Sequence, residues 1–484
     1  MVDVLGLLYK PNNQSLVKVI TDMLRFLLLL TAFFSTANAA EKPNILFIFA
    51  DDLGWKDVGY QGAEFMETPR IDAFAKTGMV FTDGYAPAAN CQPSRACLLS
   101  GQYSPRHHVY AVKSTNRGPK NLMRLKPIPN KSGIAQEELS IGDALQSAGY
   151  TTGIFGKWHS GGPDGAEPLE QGFDVYYDSA MGGNPNLSTG KVQEDPKGVF
   201  SMTREVQKFM KVNAEAEKPF FAFMSHHAIH TALEAGEETL EYFQNKATTQ
   251  EEKDLALYAA CTKDLDTGVG ILLDSLEELG IADNTLVVFT SDNGAHIASL
   301  QEPLRGNKGA YYEGGIREPF IVRWPGVTKA GTEDGTPVSN IDLFPTFADA
   351  AGATISEDKI LDGESLRPLL AREGELKRKA IFWHFPGYLD RPVTRGRDTK
   401  FRTRPVSVIR KGDWKLFLYH EEWLLDGGRE KLATNDAVEL YNLAEDIGER
   451  NNLMNENVEK RDELLSDLLA WFEKTDAKLA SKKD

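Results

Sequence analysis

Cysteine is scarce in this sequence, basic residues are outnumbered, and long apolar runs are missing after the first 39 residues. Three cysteines in 484 residues are too few for the disulfide framework of an exported protein. The 54 basic and 70 acidic residues give a net charge of −16. This balance argues against a general nucleic-acid binder, because such proteins present a basic face. No later apolar run is long enough to span a bilayer, so we expect no membrane span in the mature chain.

The N-terminus has the pattern of an export signal. Residues 23–25 supply a short basic start, 26–34 an apolar stretch, and 37–39 a cleavage site of the Ala-x-Ala kind. We therefore interpret residues 1–39 as a signal peptide, with Met23 as an alternative true start, and exclude them from the fold. This interpretation predicts a periplasmic or secreted protein.

Several short apolar runs end abruptly in polar residues that are capable of chemistry, and helix-like segments lie between these runs. Alternating strands and helices predict an α/β fold with a large, mostly parallel mixed sheet flanked by helices. Ligands of such sheets bind beyond the carboxyl ends of the strands. The polar residues after four strands are therefore expected to converge on one site. The four runs are residues 44–50, 151–155, 220–224 and 286–290.

The sequence pattern changes after about residue 372. Short strand-like stretches then alternate with charged turns, and a helix-like segment follows at 456–472. This pattern predicts a catalytic domain at 40–372 and a smaller C-terminal subdomain with an antiparallel sheet at 373–473. The polar residues 474–484 are expected to form a flexible tail.

Cys261 has a structural explanation. It shares one face of an amphipathic helix pattern with Leu265, Val269 and Leu272, so we expect it to be buried in the core. Cys91 has no such pattern around it, and the residues that follow it carry the functional signal.

Residues 91–101 read Cys-Gln-Pro-Ser-Arg-Ala-Cys-Leu-Leu-Ser-Gly. This segment resembles the signature of the type I, formylglycine-dependent sulfatases of the alkaline-phosphatase-like superfamily, Cys-x-Pro-Ser-Arg followed by Leu-Leu-(Thr/Ser)-Gly. Further segments resemble the same family in the same order, and the resemblance runs from about residue 42 to residue 453. These segments are 51–52, 156–159, 292–294, 306–309, 312–315 and 439–443.

The resemblance implies that a maturation enzyme oxidises Cys91 to formylglycine (3-oxoalanine). A sulfate ester is an anion with a poor leaving group, so its hydrolysis needs charge neutralisation, an in-line nucleophile and a proton donor for the leaving oxygen. The hydrated aldehyde at position 91 would attack sulfur with one hydroxyl and expel sulfate with the other. The alternative is an unmodified, buried thiol.

The side chains of Asp51, Asp52, Asp292 and Asn293 offer only oxygen ligands, and residue 91 completes the predicted metal site. All-oxygen coordination favours a hard cation, so we expect one calcium ion, with magnesium as the alternative. Such a cation would orient the sulfate group and acidify the attacking hydroxyl. An isolated Asp51-Asp52 pair would equally fit a helix cap or turn.

The resemblance also assigns roles to basic residues. Arg95 would anchor the nucleophile segment against the metal carboxylates, Lys157 and Lys308 would contact sulfate oxygens, and His159 would hydrogen-bond the formylglycine hydrate. A family histidine near the leaving oxygen acts as a general acid.

His230 fits the family's general acid best, and His227 is the alternative. His296 has two interpretations, a pocket-lining role and a structural role.

Between residues 391 and 404 the chain has six basic residues against one aspartate. This segment, with Arg402 and Arg404, is either a subsite for a polyanionic glycan or a solvated surface loop. Arg106 and His107 would extend a basic rim. The predicted substrate is a sulfated poly- or oligosaccharide, with a carrageenan-like algal glycan as the first candidate.

Trp383 and Tyr388 lie close to this segment in sequence, and their rings would stack on sugar faces. Two rival functions remain at this stage. One is a phosphonate or phosphodiester hydrolase of the same superfamily, and the other is a glycan-binding homologue with an unmodified Cys91. The sequence leaves the oligomeric state open.

Overall fold

The computed structural model describes residues 42–179 and 192–483. One compact unit begins at Pro43 and includes all that follows it in the described chain. The predicted signal peptide, residues 1–39, lies outside the described residues. The predicted boundary at residue 372 stays a prediction, because the compact unit runs through it.

The described strands, numbered in chain order, have the following bounds. They are β1 Asn44–Ala50, β2 Met79–Phe81, β3 Gly84–Tyr85, β4 Leu125–Lys126, β5 Thr151–Gly156, β6 Val175–Tyr177, β7 Phe220–Ser225, β8 Thr285–Ser291, β9 Arg317–Glu318, β10 Ile321–Arg323, β11 Thr332–Asp334, β12 Val338–Ser339, β13 Ile381–Phe385, β14 Leu389–Asp390, β15 Phe401–Thr403, β16 Val406–Lys411, β17 Trp414–Tyr419, β18 Val438–Asn442 and β19 Ser481–Lys482.

The α-helices of the described residues are numbered in the same way. They are α1 Pro69–Thr77, α2 Cys91–Ser100, α3 Ser104–His107, α4 Ile141–Ser147, α5 Val199–Glu215, α6 Glu237–Lys246, α7 Gln250–Glu278, α8 Glu313–Ile316, α9 Leu343–Ala351, α10 Arg367–Leu370, α11 His420–Leu425 and α12 Val458–Thr475.

The main sheet has eight strands in the order β11-β2-β10-β8-β1-β7-β5-β6. Strand β10 runs antiparallel to both of its neighbours, whereas the pairs around β1, β5 and β7 are parallel. The sequence prediction of a large, mostly parallel mixed sheet is therefore confirmed.

Helices cover both faces of this sheet. Successive side chains of a strand point to opposite faces, so an apolar strand presents apolar side chains on both. Leu46 and Ile48 of β1 belong to the core cluster that includes α5 and α7. Ile45 and Phe47 of the same strand belong to the cluster that includes α4 and α9. Both faces of β1 are thus dry, as its unbroken apolar sequence indicates.

The helix starts follow from local sequence. Ser140 accepts the backbone N–H of Asp143 before α4, and Thr249 accepts that of Glu252 before α7. In each case the acidic side chain reaches back to the capping residue, which satisfies two backbone donors that the first turn leaves free. These caps fix where the helices begin and hence the length of the strand connections.

The carboxyl ends of β1, β5, β7 and β8 lie side by side. Phe49 pairs with Ser225 at the end of β7, Ala50 with Ser291 at the end of β8, and Gly156 of β5 also with Ser225. The polar residues that follow these strands therefore emerge along one edge of the sheet, as predicted.

A separate antiparallel sheet, β13-β16-β17-β18, forms the C-terminal region and packs against α12. The chain beyond α12 differs from the expected flexible tail. Ser481 pairs with Lys126 of β4, Ala480 is buried, and the Lys478 carbonyl lies 3.0 Å from His384 Nε2. The pairing of β19 with β4 orders the segment after α12, and amino-acid composition does not reveal such pairing.

Among the residues that the structure describes, no helix combines the length and apolarity needed to cross a bilayer.

Candidate active site

Cys91 is the first residue of α2, and all ten residues of that helix are buried. The helix ends at Gly101, whose φ of 67° and amide bond to the Cys97 carbonyl form a left-handed cap. A Cβ at residue 101 would lie 2.7 Å from the Leu361 side chain, so glycine is required there. The Cys91 side chain is 1% exposed and lines a cavity at the carboxyl edge of the main sheet.

Three candidate metal ligands converge on this cavity. Ligand atoms of Asp51, Cys91 and Asp292 all lie within 4.8 Å of one another, and all three residues are buried. Asp51 Oδ1 and Asn293 Oδ1 are buried acceptors without a hydrogen-bond partner among the described residues. Unsatisfied buried oxygens are costly unless a ligand occupies the site. The oxygen donors therefore fit a hard cation, which would be held by Asp51, Asp292 and Asn293 together with Asp52; the soft sulfur of an unmodified Cys91 would not suit it.

Each of the three carboxylates forms an ion pair with a different basic side chain. Lys157 Nζ lies 2.6 Å from Asp51 Oδ2, and Lys308 Nζ lies 2.6 Å from Asp52 Oδ1. The third pair joins Arg95 Nε to Asp292 Oδ2 at 2.8 Å. Three negative and three positive side chains thus balance, and a dication would leave the site with net positive charge for an anionic substrate.

Arg95 also holds the strand ends together. Its Nη1 donates to the Lys157 carbonyl at 3.0 Å and to Ser225 Oγ at 2.5 Å, and Ser225 Oγ donates to the same carbonyl at 2.6 Å. The guanidinium therefore links α2 to the ends of β5 and β7. The anchoring role that the resemblance implies for Arg95 stays a prediction.

Charge pairing governs the acidity of these carboxylates. Burial by itself would raise the pKa of Asp51, but Lys157, followed by His230 and Arg95, brings it well below its ordinary value. For Asp52, burial is likewise opposed, mainly by Lys308, and the net pKa is lowered.

Asp292 shows the opposite balance. Burial, followed by the neighbouring charge of Asp51, raises the pKa of Asp292 to about 7 despite the ion pair with Arg95. A cation bound beside this carboxylate would favour its ionised form.

The thiol of Cys91 is not activated. Burial raises the pKa of Cys91 above its ordinary value, although the nearby ammonium groups of Lys157 and Lys308 oppose this effect. Lys308 Nζ lies 3.8 Å from Cys91 Sγ. Because the thiolate is the nucleophilic form, an unmodified Cys91 would react poorly at neutral pH.

His159 and His230 line the cavity. His159 Nδ1 has no partner among the described residues, and burial, followed by the charge of Lys157, lowers the pKa of His159 to about 2. His230 Nδ1 lies 2.6 Å from the Thr231 carbonyl, which can only accept, so Nδ1 carries the hydrogen and Nε2 remains for a ligand. Burial lowers the pKa of His230, while Asp51 opposes this effect.

His227 and His296 line the cavity too, but their ring nitrogens have protein partners. His227 Nε2 lies 2.8 Å from Asp178 Oδ1. His296 Nδ1 accepts the Ala298 amide, so its Nε2–H donates to Thr231 Oγ1 at 2.7 Å. His296 also lines the cavity, so the pocket-lining and the structural interpretation both stay open.

The cavity has a volume of about 1040 Å³. Its lining includes most of the predicted catalytic residues and three arginines, Arg117, Arg391 and Arg402. Arg117 was not predicted to be a site residue, because the sequence around it has no recognisable motif. Arg391 was visible only as one of six basic residues in its segment.

Two predicted rim residues do not line this cavity. Arg106 makes two hydrogen bonds to the Asp362 carboxylate at 2.7 and 2.8 Å. His107 is buried, and its Nε2 lies 3.4 Å from Cys97 Sγ. The prediction that Arg106 and His107 bind substrate is corrected, because short helix α3 directs both side chains into the protein.

Three further predictions about this region are corrected by packing. Arg404 forms ion pairs with Asp398 and with Glu421, the latter at 2.8 Å, and does not line the cavity. Trp383 donates to the Ala86 carbonyl at 2.7 Å, and Tyr388 is fully buried, so neither ring is available to a sugar.

Cys261 is buried in α7, as expected, with Sγ 2.9 Å from the Glu234 carbonyl.

Comparison with known proteins adds independent findings. The family model described as Sulfatase matches residues 43–353, and the model described as N-sulphoglucosamine sulphohydrolase, C-terminal, matches residues 307–477. A Formosa agariphila protein named Sulfatase is 32% identical over 528 aligned positions, which cover 91% of this chain and 90% of that protein. The N-acetylgalactosamine-6-sulfatase of Canis lupus familiaris is 33% identical, with coverage of 74% and 72%.

A solved structure is also similar over nearly the whole chain. The structure of Ps i-CgsB in complex with k-i-k-neocarrahexaose has a TM-score of 0.70 and 28% identity, and the match covers 90% of this chain and 92% of that chain. This likeness confirms the predicted alkaline-phosphatase-like α/β architecture.

Proposed function

The chain belongs to the sulfatase family, and on this premise we propose that it hydrolyses sulfate esters of a sulfated poly- or oligosaccharide. The reaction would use formylglycine made from Cys91 and one divalent cation, calcium or alternatively magnesium. The convergence of Asp51, Cys91 and Asp292 within 4.8 Å carries this proposal. It brings distant parts of the chain to one buried point at the edge of the cavity.

The cation would be held by Asp51, Asp52, Asp292 and Asn293, with residue 91 beside them. When bound, it would supply a positive charge that orients the sulfate group and polarises its oxygens. The two unsatisfied oxygens of Asp51 and Asn293 support this assignment.

Formylglycine, as its hydrate, would supply the attacking hydroxyl at position 91. The 3.8 Å separation of Lys308 Nζ from Cys91 Sγ, the atom whose place the hydroxyl would take, allows the ammonium to contact both the hydroxyl and a sulfate oxygen. Lys157 offers a second positive charge from the end of β5. Neutralising charge on the sulfate oxygens before attack is the main demand of this reaction.

The leaving oxygen needs a proton, and His230 is proposed to donate it. Its Nδ1–H is fixed on the Thr231 carbonyl, which orients Nε2 as the exchanging atom. His159 is proposed to accept a hydrogen bond from the residue 91 hydrate, because burial keeps its imidazole neutral. Arg95 acts as a positioning residue.

The substrate class follows from two kinds of support. The similar proteins include an N-acetylgalactosamine-6-sulfatase and a protein solved with k-i-k-neocarrahexaose. A cavity of about 1040 Å³ also exceeds what a sulfate group alone requires. We propose a carrageenan-like galactan first and a sulfated glycosaminoglycan second, met in the periplasm or outside the cell.

The test uses protein from a host that contains a formylglycine-generating enzyme. Mass spectrometry of the peptide with residue 91 measures conversion of the thiol to the lighter aldehyde. Sulfate release is then measured on a panel of defined sulfated oligosaccharides and on p-nitrophenyl sulfate. Release by the converted protein supports the proposal. Converted protein that cleaves only phosphate diesters or phosphonates would instead identify the rival hydrolase, and absence of conversion in the native host would support the glycan-binding alternative.

A further inference from the structure

One wall of the cavity carries three guanidinium groups that the proposed chemistry does not use. Arg117, Arg391 and Arg402 line the cavity, and we call them the arginine wall. Arg117 pairs with Asp390 at 2.7 Å, and Arg391 approaches the same residue at 4.0 Å. In the described chain, Arg402 has no carboxylate within ion-pair distance and contacts backbone carbonyls instead. Three positive charges therefore face one negative charge.

Arg402 is built into the site rather than loosely exposed. Its Nη1 donates to the Lys308 carbonyl at 3.0 Å, and its Nε donates to the Arg391 carbonyl at 3.1 Å. Gly309, with φ of +88°, lies under the side chain, and a Cβ there would be 2.3 Å from Arg402 Cδ. The guanidinium is thus fixed beside the lysine that approaches Cys91, and its remaining N–H donors are left for a ligand.

The guanidinium groups of the arginine wall repel one another. Burial, followed by the like charge of Arg117, lowers the pKa of Arg402, and Asp390 only partly opposes this effect. Like charges that are held close cost free energy, and an anion between them removes this cost. The lining also includes acidic residues, of which Asp51 and Asp52 are paired with Lys157 and Lys308. An anion in the cavity would therefore be drawn toward the arginines.

Within the 391–404 segment, Arg391 and Arg402 differ from the other arginines in their charge balance. Other arginines of the 391–404 segment are neutralised by carboxylates outside the metal site. These pairs are Arg395–Glu302, Arg397–Glu422, Arg404–Asp398 and Arg404–Glu421.

We infer that the arginine wall is a subsite for a second anionic group of the substrate, a sulfate or a carboxylate close to the scissile sulfate ester. This inference rests on the proposed function and narrows it to saccharides with at least two charges per recognised unit. Guanidinium groups suit this task because their planar forks match the oxygens of both anions.

The experiment compares substrates that differ in one charge. One saccharide backbone is prepared with a single sulfate, with two sulfates, and with one sulfate next to a uronate carboxylate. Values of kcat/KM are measured for the wild type, Arg402→Ala, Arg391→Ala and Lys400→Ala. Arg391 is 82% exposed, so its removal should not impair folding. Lys400 is the matched control, because it is exposed in the same segment and does not line the cavity.

We expect Arg402→Ala to reduce the preference for the doubly charged over the singly charged substrate by roughly tenfold or more, as loss of a charge-assisted contact implies. Arg391→Ala should reduce the same ratio less, and Lys400→Ala should leave it unchanged. A loss restricted to the disulfated substrate identifies sulfate as the second anion, and a loss restricted to the uronate substrate identifies carboxylate. An unchanged ratio in both arginine variants, or an equal change in Lys400→Ala, overturns the inference.

A binding measurement separates this inference from the proposed function. Affinities of the Cys91→Ser chain, with and without Arg402→Ala, are measured by calorimetry for the same saccharides. If the wild type releases no sulfate but Arg402 still determines affinity for the doubly charged ligand, the proposed function fails and the anion subsite stands. If sulfate is released and Arg402→Ala changes neither the affinity ratio nor the kcat/KM ratio, the subsite fails alone.

Discussion

The strand-end site and the basic segment at 391–404 both concentrate charge, but they balance it differently. At the strand ends each carboxylate has one basic side chain in contact, as in the Asp51–Lys157 pair at 2.6 Å, and two buried oxygens, Asp51 Oδ1 and Asn293 Oδ1, have no hydrogen-bond partner among the described residues. In the basic segment most arginines are also paired, but Arg402 contacts only backbone carbonyls in the described chain. We therefore expect the first region to bind a cation and the second an anion. The density of charged residues does not distinguish a cation site from an anion site. The partner of each charged side chain makes that distinction.

The sharpest test of the strand-end site removes its proposed nucleophile. Cys91→Ala should reduce kcat by about 10⁴-fold or more, on the scale of nucleophile removal in other hydrolases. The measurement is sulfate release, with circular dichroism to verify folding. Cys97→Ala is the control, because Cys97 is a buried thiol of the same helix outside the cavity. Comparable losses in both variants would mean that helix packing, not chemistry, is being measured.

The two candidate acids can be separated by leaving group. His230→Ala should reduce kcat by roughly 10²- to 10⁴-fold on a sugar sulfate, whose alkoxide needs a proton. It should reduce kcat much less on p-nitrophenyl sulfate, whose phenolate leaves without help. His227→Ala, which removes the contact to Asp178, should affect both substrates equally and weakly. The reverse pattern would transfer the acid role to His227.

Cation binding at the strand ends should appear in stability as well as in rate. Calcium at about 100 times its Kd should stabilise the folded chain by about 2.7 kcal/mol relative to chelated protein. Thermal unfolding with chelator, calcium or magnesium measures this, and Asp292→Asn should diminish the calcium effect. Identical unfolding curves under all three conditions would contradict a cation site made by these carboxylates.

The smallest effect on activity is expected for the paired part of the basic segment. Arg404→Ala should leave kcat/KM within about twofold but destabilise the fold by about 1–3 kcal/mol, because it leaves the buried Glu421 with fewer partners. Denaturant unfolding and sulfate release are measured on the same samples. A large loss of activity without loss of stability would return Arg404 to the substrate site.

Much of the fold was predictable, because the relevant signals are local. The run at 44–50 is β1 to the residue, and the helix pattern at 141–147 is α4. The convergence of the residues that follow four strands could be predicted from one rule, that parallel strands end at the same edge of a sheet. The terminal strand β19 was missed because its pairing with β4 spans most of the chain.

The strand-end site was predictable for a similar reason, and the outer cavity was not. Asp51 and Lys157 directly follow strands, so their position is set by the sheet. Arg402 and Arg404 are two residues apart on one extended segment, yet one lines the cavity and the other pairs with Glu421. Their partners come from distant parts of the chain, which composition and spacing do not reveal.

The burial of α2 has a consequence for how the protein is made. Every residue from Cys91 to Ser100 is buried in a helix. An enzyme that has to bind this segment in order to oxidise residue 91 therefore has no access to it in the folded protein. If Cys91 is oxidised as proposed, the oxidation would therefore compete in time with the folding of this segment. A chain that folds first would then keep an unmodified thiol. On this proposal, changes that accelerate folding should reduce the proportion of converted molecules.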